Sequence, residues 1–351
     1  GERPEAELLA VMKHVRFATM AEGFLRETVG AWPALGSAEA KGLLFNALLP
    51  AFGGTKPLRR SGFGPRLIYV VGGHCGGAVI STAELYDPQA ASWTQLAGMM
   101  EPRSSHGCVA LDGKLYAVGG FKGSAFAHQP LDTAEVYDPQ ADGWQPLAKM
   151  STARHQLGLA AVGGKIYALG GKVGGTTLES VEAYDPQLGA WALVASMGAK
   201  RRYHASVVLD GKIYAMGGYA AGCPLDTVEV FNPQIGSWQQ VASMPRRLCE
   251  HAAAAMGGKI YVTGGETNHL ESMNSVYVYD PQADAWTQLA NMSNARRFHA
   301  SAAVGGKLYV FGGCGASGRL DTAEVYDPAL DSWAQVSNLT SARNGMVAIA
   351  L

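Results

Sequence analysis

A glycine pair recurs six times in this chain, beginning at Gly72, Gly119, Gly170, Gly217, Gly264 and Gly312, in steps of 47, 51, 47, 47 and 48 residues. A fixed period of that length restricts the chain to an array of one supersecondary unit, copied along the sequence. The runs before the pairs (Leu67 to Val71, Leu115 to Val118, Ile166 to Leu169, Ile213 to Met216, Ile260 to Thr263, Leu308 to Phe311) are short, apolar and rich in β-branched or aromatic residues. They predict buried strands, each ended by glycine. Downstream in every unit comes an aromatic-polar-proline triplet: Tyr86-Asp87-Pro88, Tyr137-Asp138-Pro139, Tyr184-Asp185-Pro186, Phe231-Asn232-Pro233, Tyr279-Asp280-Pro281 and Tyr326-Asp327-Pro328. One tryptophan follows each triplet, at Trp93, Trp144, Trp191, Trp238, Trp286 and Trp333, so that six of the seven tryptophans hold one repeat position.

Asp-Pro is turn chemistry, because proline presets one backbone angle and the aspartate side chain can bond the next backbone amides. Four short strands per unit, separated by glycine and proline turns, describe one blade of a β-propeller. The glycine pair, the Tyr-Asp-Pro triplet and the single Trp at this spacing resemble kelch repeats over residues 66–351. The expected fold is mainly β, a six-bladed kelch β-propeller.

The first pair has only a linker ahead of it, whereas the other five follow an additional strand (Gly107 to Leu111, Leu159 to Val162, Ala205 to Leu209, Ala252 to Met256, Ala300 to Val304). Gly345 to Leu351 matches that extra strand and then stops. The C-terminal strand is therefore expected to complete the first blade, tying both ends of the ring into one sheet with no long exposed edge.

At 351 residues, 48% hydrophobic and 16% charged, the chain can bury a large core, and its 45 glycines suit many tight turns. A net charge of −1 provides no basic footprint for nucleic acid or an anionic membrane. No apolar run has the length of a membrane span, and the start lacks a signal-peptide pattern. Cys75, Cys108, Cys223, Cys249 and Cys314 are odd in number and lack metal-ligand spacing, which predicts free thiols in a reducing compartment. Cys75 and Cys314 fall at or next to the loop position after a glycine pair, where an exposed thiol could react.

Residues 1–55 differ from the repeats. Pro4, Glu5 and Glu7 suit a first helical turn before Leu8, Leu9, Met12 and Val15; Phe24, Leu25 and Val29 suggest a second helix. Ser37 suits the N-cap of a third, stopped by Pro50, Gly53 and Gly54. Glu7-Leu8-Leu9, Lys13-His14-Val15-Arg16-Phe17 and Leu48-Leu49-Pro50 resemble the last part of the BACK domain of Kelch-like proteins. An unrelated helical cap is the alternative. Residues 56–65 form a stiff, solvated linker with two prolines and two arginines. The chain opens on Gly1, so a fragment is expected, with the BTB domain of the resembled family absent.

Charged residues also obey the repeat. Four residues after the Met or Leu that closes each outer strand stand Arg103, Arg154, Arg201, Arg296 and Arg343, with Leu248 as the exception. Two residues before the triplets stand Glu84, Glu135, Glu182, Glu229 and Glu324, with Tyr277 as the exception. Both exceptions fall in the fifth unit, which predicts Arg–Glu pairs inside each blade, Arg343 meeting Glu84 across the closure. His106, His204, His251 and His299 share one position without any His-x-His or His-Glu-x-x-His spacing, and are expected to be structural.

No general acid with a base or nucleophile partner stands out, and the sialidase Asp-box is absent. The expectation is a binding protein with no catalytic residues, cofactor or metal. Function then belongs to the loops that vary on the repeating frame. One set follows the glycine pairs: His74, Phe121, Lys172, Tyr219, Glu266 and Cys314. The other follows the repeat arginines: Ser104 and Ser105, His155 and Gln156, Arg202 and Tyr203, Cys249 and Glu250, Arg297 and Phe298, and Asn344. The resemblance implies that these line one mouth of the ring and hold a partner segment. Arg202, Tyr203, Arg297 and Phe298 are the expected hot spots, and the arginines with Lys172 point to an acidic segment. The loop from Phe121 to Leu131, which contains Phe126 and His128, is four residues longer than its counterparts and is expected to add partner contacts beside the mouth.

The resemblance further implies a substrate-recognition propeller of a cullin-3-type E3 ubiquitin ligase adaptor, homodimeric through the BTB domain and cytoplasmic, with nuclear or cytoskeletal residence also open. An actin-binding or scaffolding propeller without ubiquitin transfer is the alternative.

Overall fold

The computed structural model describes residues 67–351 apart from 125, 126, 269 and 270. The helices expected over 1–55, the linker over 56–65 and the contact expected of Phe126 lie outside the described residues. Among the described residues no helix is long and apolar enough to cross a membrane.

Six four-stranded antiparallel sheets form the blades of a propeller. Blade 2 shows the plan: Gly107–Leu111 is innermost, then Lys114–Val118, Ala134–Asp138 and outermost Gly143–Pro146. Blades 3 to 6 repeat that order, with inner strands Gly158–Val162, Ala205–Leu209, Ala252–Met256 and Ala300–Val304. Blade 1 is closed from the far end of the chain, because Val347–Ala350 pairs with Ile68–Val71 in the register Ile68↔Ala350 to Val71↔Val347. Ile68–Val71 is therefore not left as the edge strand of its blade.

Burial follows the repeat. Ile68, Leu115, Ile166, Ile213, Ile260 and Leu308 occupy one position and are all 0% exposed. Each is a large aliphatic group held between adjacent blades, worth about 1.5–3 kcal/mol of hydrophobic stabilisation apiece. The triplet aromatics are buried beside the repeat tryptophans, as in Tyr86 and Trp93 with ring centroids 4.9 Å apart. Every one of these Trp indole N–H groups donates to a carbonyl of the preceding blade, from Trp144 to Ala97 (2.9 Å) round to Trp93, which reaches Ser337 (3.3 Å) across the closure. The triplet Asp accepts from the amide two residues on, as at Asp138 and Gln140 (2.9 Å).

The Arg–Glu pairs are present in all five expected blades: Arg103–Glu135, Arg154–Glu182, Arg201–Glu229, Arg296–Glu324 and, across the closure, Arg343–Glu84, at 2.6 to 3.0 Å. The arginine side chains are at most 2% exposed. In blade 5 Leu248 and Tyr277 share one apolar cluster instead. One sequence detail shifts: the outer strands end three or four residues before Met99 and its counterparts, and these side chains plug the space beneath the glycine pair. Gly170 shows why that pair is needed. Its φ is +53°, and a Cβ there would stand 2.5 Å from the Arg201 carbonyl oxygen.

Candidate functional site

The inner strands all begin at the same end of the ring, immediately after the loops that carry the repeat arginines. At the second residue past each arginine position the chain turns left-handed: Ser105, Gln156, Tyr203, Glu250, Phe298 and Gly345 have φ between 50° and 64°. This unfavourable conformation is held by a closed circuit of backbone hydrogen bonds. Gln156 N donates to Ser105 O, Tyr203 N to Gln156 O, Glu250 N to Tyr203 O, Phe298 N to Glu250 O, Gly345 N to Phe298 O and Ser105 N to Gly345 O, at 2.8 to 3.0 Å. The result is a rigid collar. Below it runs a cavity of about 430 Å³ lined by small residues of the inner strands, such as Ala252 to Ala255.

A second contact set surrounds the collar. In each blade the second glycine of the pair donates its N–H to the carbonyl at the next blade's arginine position, for example Gly171 N to Arg201 O at 2.8 Å and Gly265 N to Arg296 O at 2.9 Å. The residue after each pair is thereby brought beside the residue after that arginine position. Phe121 meets His155 with ring centroids 5.9 Å apart, Cys314 accepts from Asn344 Nδ2 at 3.1 Å, and Glu266 forms an ion pair with Arg297. His74 with Ser104, Lys172 with Arg202 and Tyr219 with Cys249 complete six such positions. All seventeen residues of the two loop sets therefore lie on the collar or in this surrounding ring. They are not equally available: Arg202, Tyr203, Arg297 and Phe298 are partly exposed, whereas Ser104 is 2% exposed, beneath Gly345.

The side chains divide the mouth. Tyr203 and Phe298 meet edge to face at 5.3 Å, and Gln156 Nε2 donates to the Tyr203 hydroxyl at 2.6 Å, so three collar residues lean together. The Arg202 guanidinium lies over the Tyr219 ring at 4.9 Å and near the Tyr203 ring at 5.8 Å. Arg297 is engaged by Glu266 and stands 3.9 Å from Glu250. Burial pushes the Glu250 carboxyl up to about 7 against the pull of both arginines.

Cys249, Glu250 and Glu266 place three ligand atoms within 4.8 Å of one another. Burial drives the Cys249 thiol up to about 12, so it stays protonated, and it is Arg297 that meets the two carboxylates. Cys314 is likewise raised by burial, which argues against the reactivity expected of an exposed thiol there. The repeat histidines are buried at the starts of the inner strands; burial lowers His106 and His204 to about 3 and His251 to about 4, so they remain neutral structural groups.

One residue of the mouth was not foreseen. Arg319 holds His74 Nδ1 at 2.7 Å and Asn344 Oδ1 at 3.2 Å. No repeat position marks it, so no sequence signal was available. The longer blade 2 loop forms the hairpin Phe121–Ser124 and Ala127–Pro130, which joins the blade 1 hairpin in a separate four-stranded sheet. In it His128 stacks on Phe121 at 4.1 Å.

The comparisons agree with this architecture. The KLHDC2/KLHL20/DRC7 Kelch-repeats domain profile matches residues 66–265 and 240–350. Kelch-like ECH-associated protein 1B of Danio rerio is 37% identical over 112 residues, 32% of this chain and 19% of that protein. Kelch-like protein 7 of Rattus norvegicus is 39% identical over 101 residues, 29% of this chain and 17% of that protein. These matches thus span less than a fifth of either relative. The structure of YjhT superposes with a TM-score of 0.63 at 16% identity, covering 76% of this chain and 96% of that one, a likeness of fold alone. With its matched segments extending round the whole ring, the chain belongs to the Kelch-like proteins of the kelch-repeat family.

Proposed function

We propose that this propeller is a protein-binding module whose mouth holds a segment of a partner, and that it serves as the substrate-recognition part of a cullin-3-type ubiquitin ligase adaptor. The observation that carries the reading is the contrast between frame and mouth. Arg–Glu pairs, Trp hydrogen bonds and glycine pairs repeat around the ring, whereas the side chains surrounding the collar vary from blade to blade. Aromatic and arginine side chains concentrated on one rigid rim are what a protein-binding hot spot requires. The chemistry of such an adaptor is proximity: the propeller positions a partner lysine and makes no bonds itself. By the resemblance, the dimerising and scaffold-binding work would belong to a BTB domain, and the stretch in residues 1–55 that resembles the BACK connector between such a domain and a propeller supports the reading.

The test is affinity capture from cells by the full chain and by a variant with Arg202, Tyr203, Arg297 and Phe298 changed to alanine and a matched melting temperature. Partners lost from the variant, and stabilised in cells by proteasome inhibition, support the reading. An unchanged partner list moves the site off the mouth; partners that depend on the mouth without being turned over indicate a scaffolding role.

A further inference from the structure

The six positions around the collar allow one blade to be compared with another inside the same chain. Glu266 and Arg297 stand in the relation that Lys172 and Arg202 occupy two blades earlier, since Gly265 N bonds Arg296 O at 2.9 Å and Gly171 N bonds Arg201 O at 2.8 Å. At blades 5 and 6 the pair is self-neutralising, an ion pair between Glu266 and Arg297. At blades 3 and 4 the same geometry brings two cations together. Among the described residues neither Lys172 nor Arg202 has a carboxylate within ion-pair distance; the Arg202 guanidinium is held flat by Tyr219, and its Nε is buried without a hydrogen-bond partner. Between the two stands His155, whose side chain feels both charges; it is 5% exposed, with Nδ1 unpartnered.

Two adjacent cations and buried polar atoms lacking partners form a site that is incomplete without an anion. A single carboxylate would leave one of the two charges uncompensated. A phosphorylated side chain carries about −1.5 to −2 at neutral pH and three acceptor oxygens, which matches one ammonium and one guanidinium fork. We propose that the Lys172–Arg202 side of the mouth, with His155 and Tyr219 as its walls, receives a phosphorylated residue of the partner segment. This inference rests on the mouth being the partner face. It divides the work between the two partly exposed arginines: Arg202 meets the partner's phosphate, whereas Arg297 is already occupied by Glu266.

The test uses the full chain on an array of degenerate peptides fixed at the centre with phosphoserine, serine or glutamate. Binding is expected to favour phosphoserine over both alternatives by at least about tenfold, the effect of one or two charge-assisted hydrogen bonds. Lys172→Glu should abolish that preference. It installs a pair the ring already contains between Glu266 and Arg297, so its melting temperature should stay close to that of the unmodified chain, while Tyr203→Ala/Phe298→Ala should weaken all peptides alike. Equal binding of the glutamate peptides overturns the phosphate assignment, as does an array on which phosphorylated and unphosphorylated peptides cannot be told apart, empty or not. Peptides that ignore Lys172→Glu yet are lost with Tyr203→Ala/Phe298→Ala leave the mouth as the partner face and refute only its phosphate site. Peptides indifferent to every mouth variant remove both.

Discussion

Changing Arg201 to leucine isolates an interaction that recurs in five of the six blades. The Arg201 guanidinium donates to Glu229 Oε1 from Nε (3.1 Å) and Nη2 (2.7 Å), to the carbonyls of Gly217 and Thr227 (both 2.8 Å), and to Thr227 Oγ1 (2.8 Å). The Glu229 side chain is 3% exposed. Removing the arginine therefore strands a buried carboxylate, at a cost of about 3–5 kcal/mol. Blade 5 shows how the same space is filled without charge. Leu248 and Tyr277 replace the pair, and Pro245, which has no N–H, stands where the Gly198 N–H otherwise donates to Glu229 Oε2 at 2.6 Å. Transplanting that solution as Gly198→Pro/Arg201→Leu/Glu229→Tyr removes the carboxylate together with one of its donors. The triple variant should stay within about 2 kcal/mol of the unmodified chain, the cost of the few backbone groups left unpaired. Urea unfolding at constant m-value measures both, and the expected coupling is about 2 kcal/mol or more. If the single and triple variants are equally destabilised, the pairs are not what holds these charges inside the ring.

Three further outcomes follow from named contacts. Ala91 holds a φ of 50° at a turn position where Asp142, Asp284 and Asp331 each accept from a backbone amide of the neighbouring blade and from a tyrosine hydroxyl, so Ala91→Asp should stabilise the chain by about 1 kcal/mol in a thermal melt. Glu250 is raised to about 7 from an ordinary value near 4.5, so within that window the folded chain retains a proton that the unfolded chain has released. Its contribution to stability therefore falls as pH rises from 4.5 to 7, and Glu250→Gln should stabilise by up to about 3 kcal/mol at pH 8 and by little at pH 4, read from paired urea titrations. Ending the chain after Arg343 deletes the strand paired with Ile68–Val71 and should broaden or abolish cooperative unfolding, followed by circular dichroism.

The frame was legible because a repeating chain displays its constraints several times. Strand positions came out within a residue or so, and the simultaneous loss of arginine at Leu248 and glutamate at Tyr277 revealed a contact that no single repeat could have shown. Pro245 belongs to the same covariation, but its meaning lies in a missing N–H that no side-chain pattern displays. The mouth was legible as a set of positions and not as an arrangement. The collar is made of backbone bonds between left-handed residues, which side-chain identity does not announce at Tyr203 or Phe298. The neutralisation of Arg297 by Glu266 joins residues of successive blades, so the two arginines looked equivalent in sequence and are not equivalent in space.

The central claim is that the partner sits on the collar. A photo-crosslinking amino acid placed at Tyr203, and in a separate chain at the exposed Leu330 on the opposite end of the ring, tests it in living cells. Crosslinks to a specific protein from position 203 and none from position 330 are the predicted result. The same protein captured from 330 and not from 203 would contradict the assignment and place recognition on the other face.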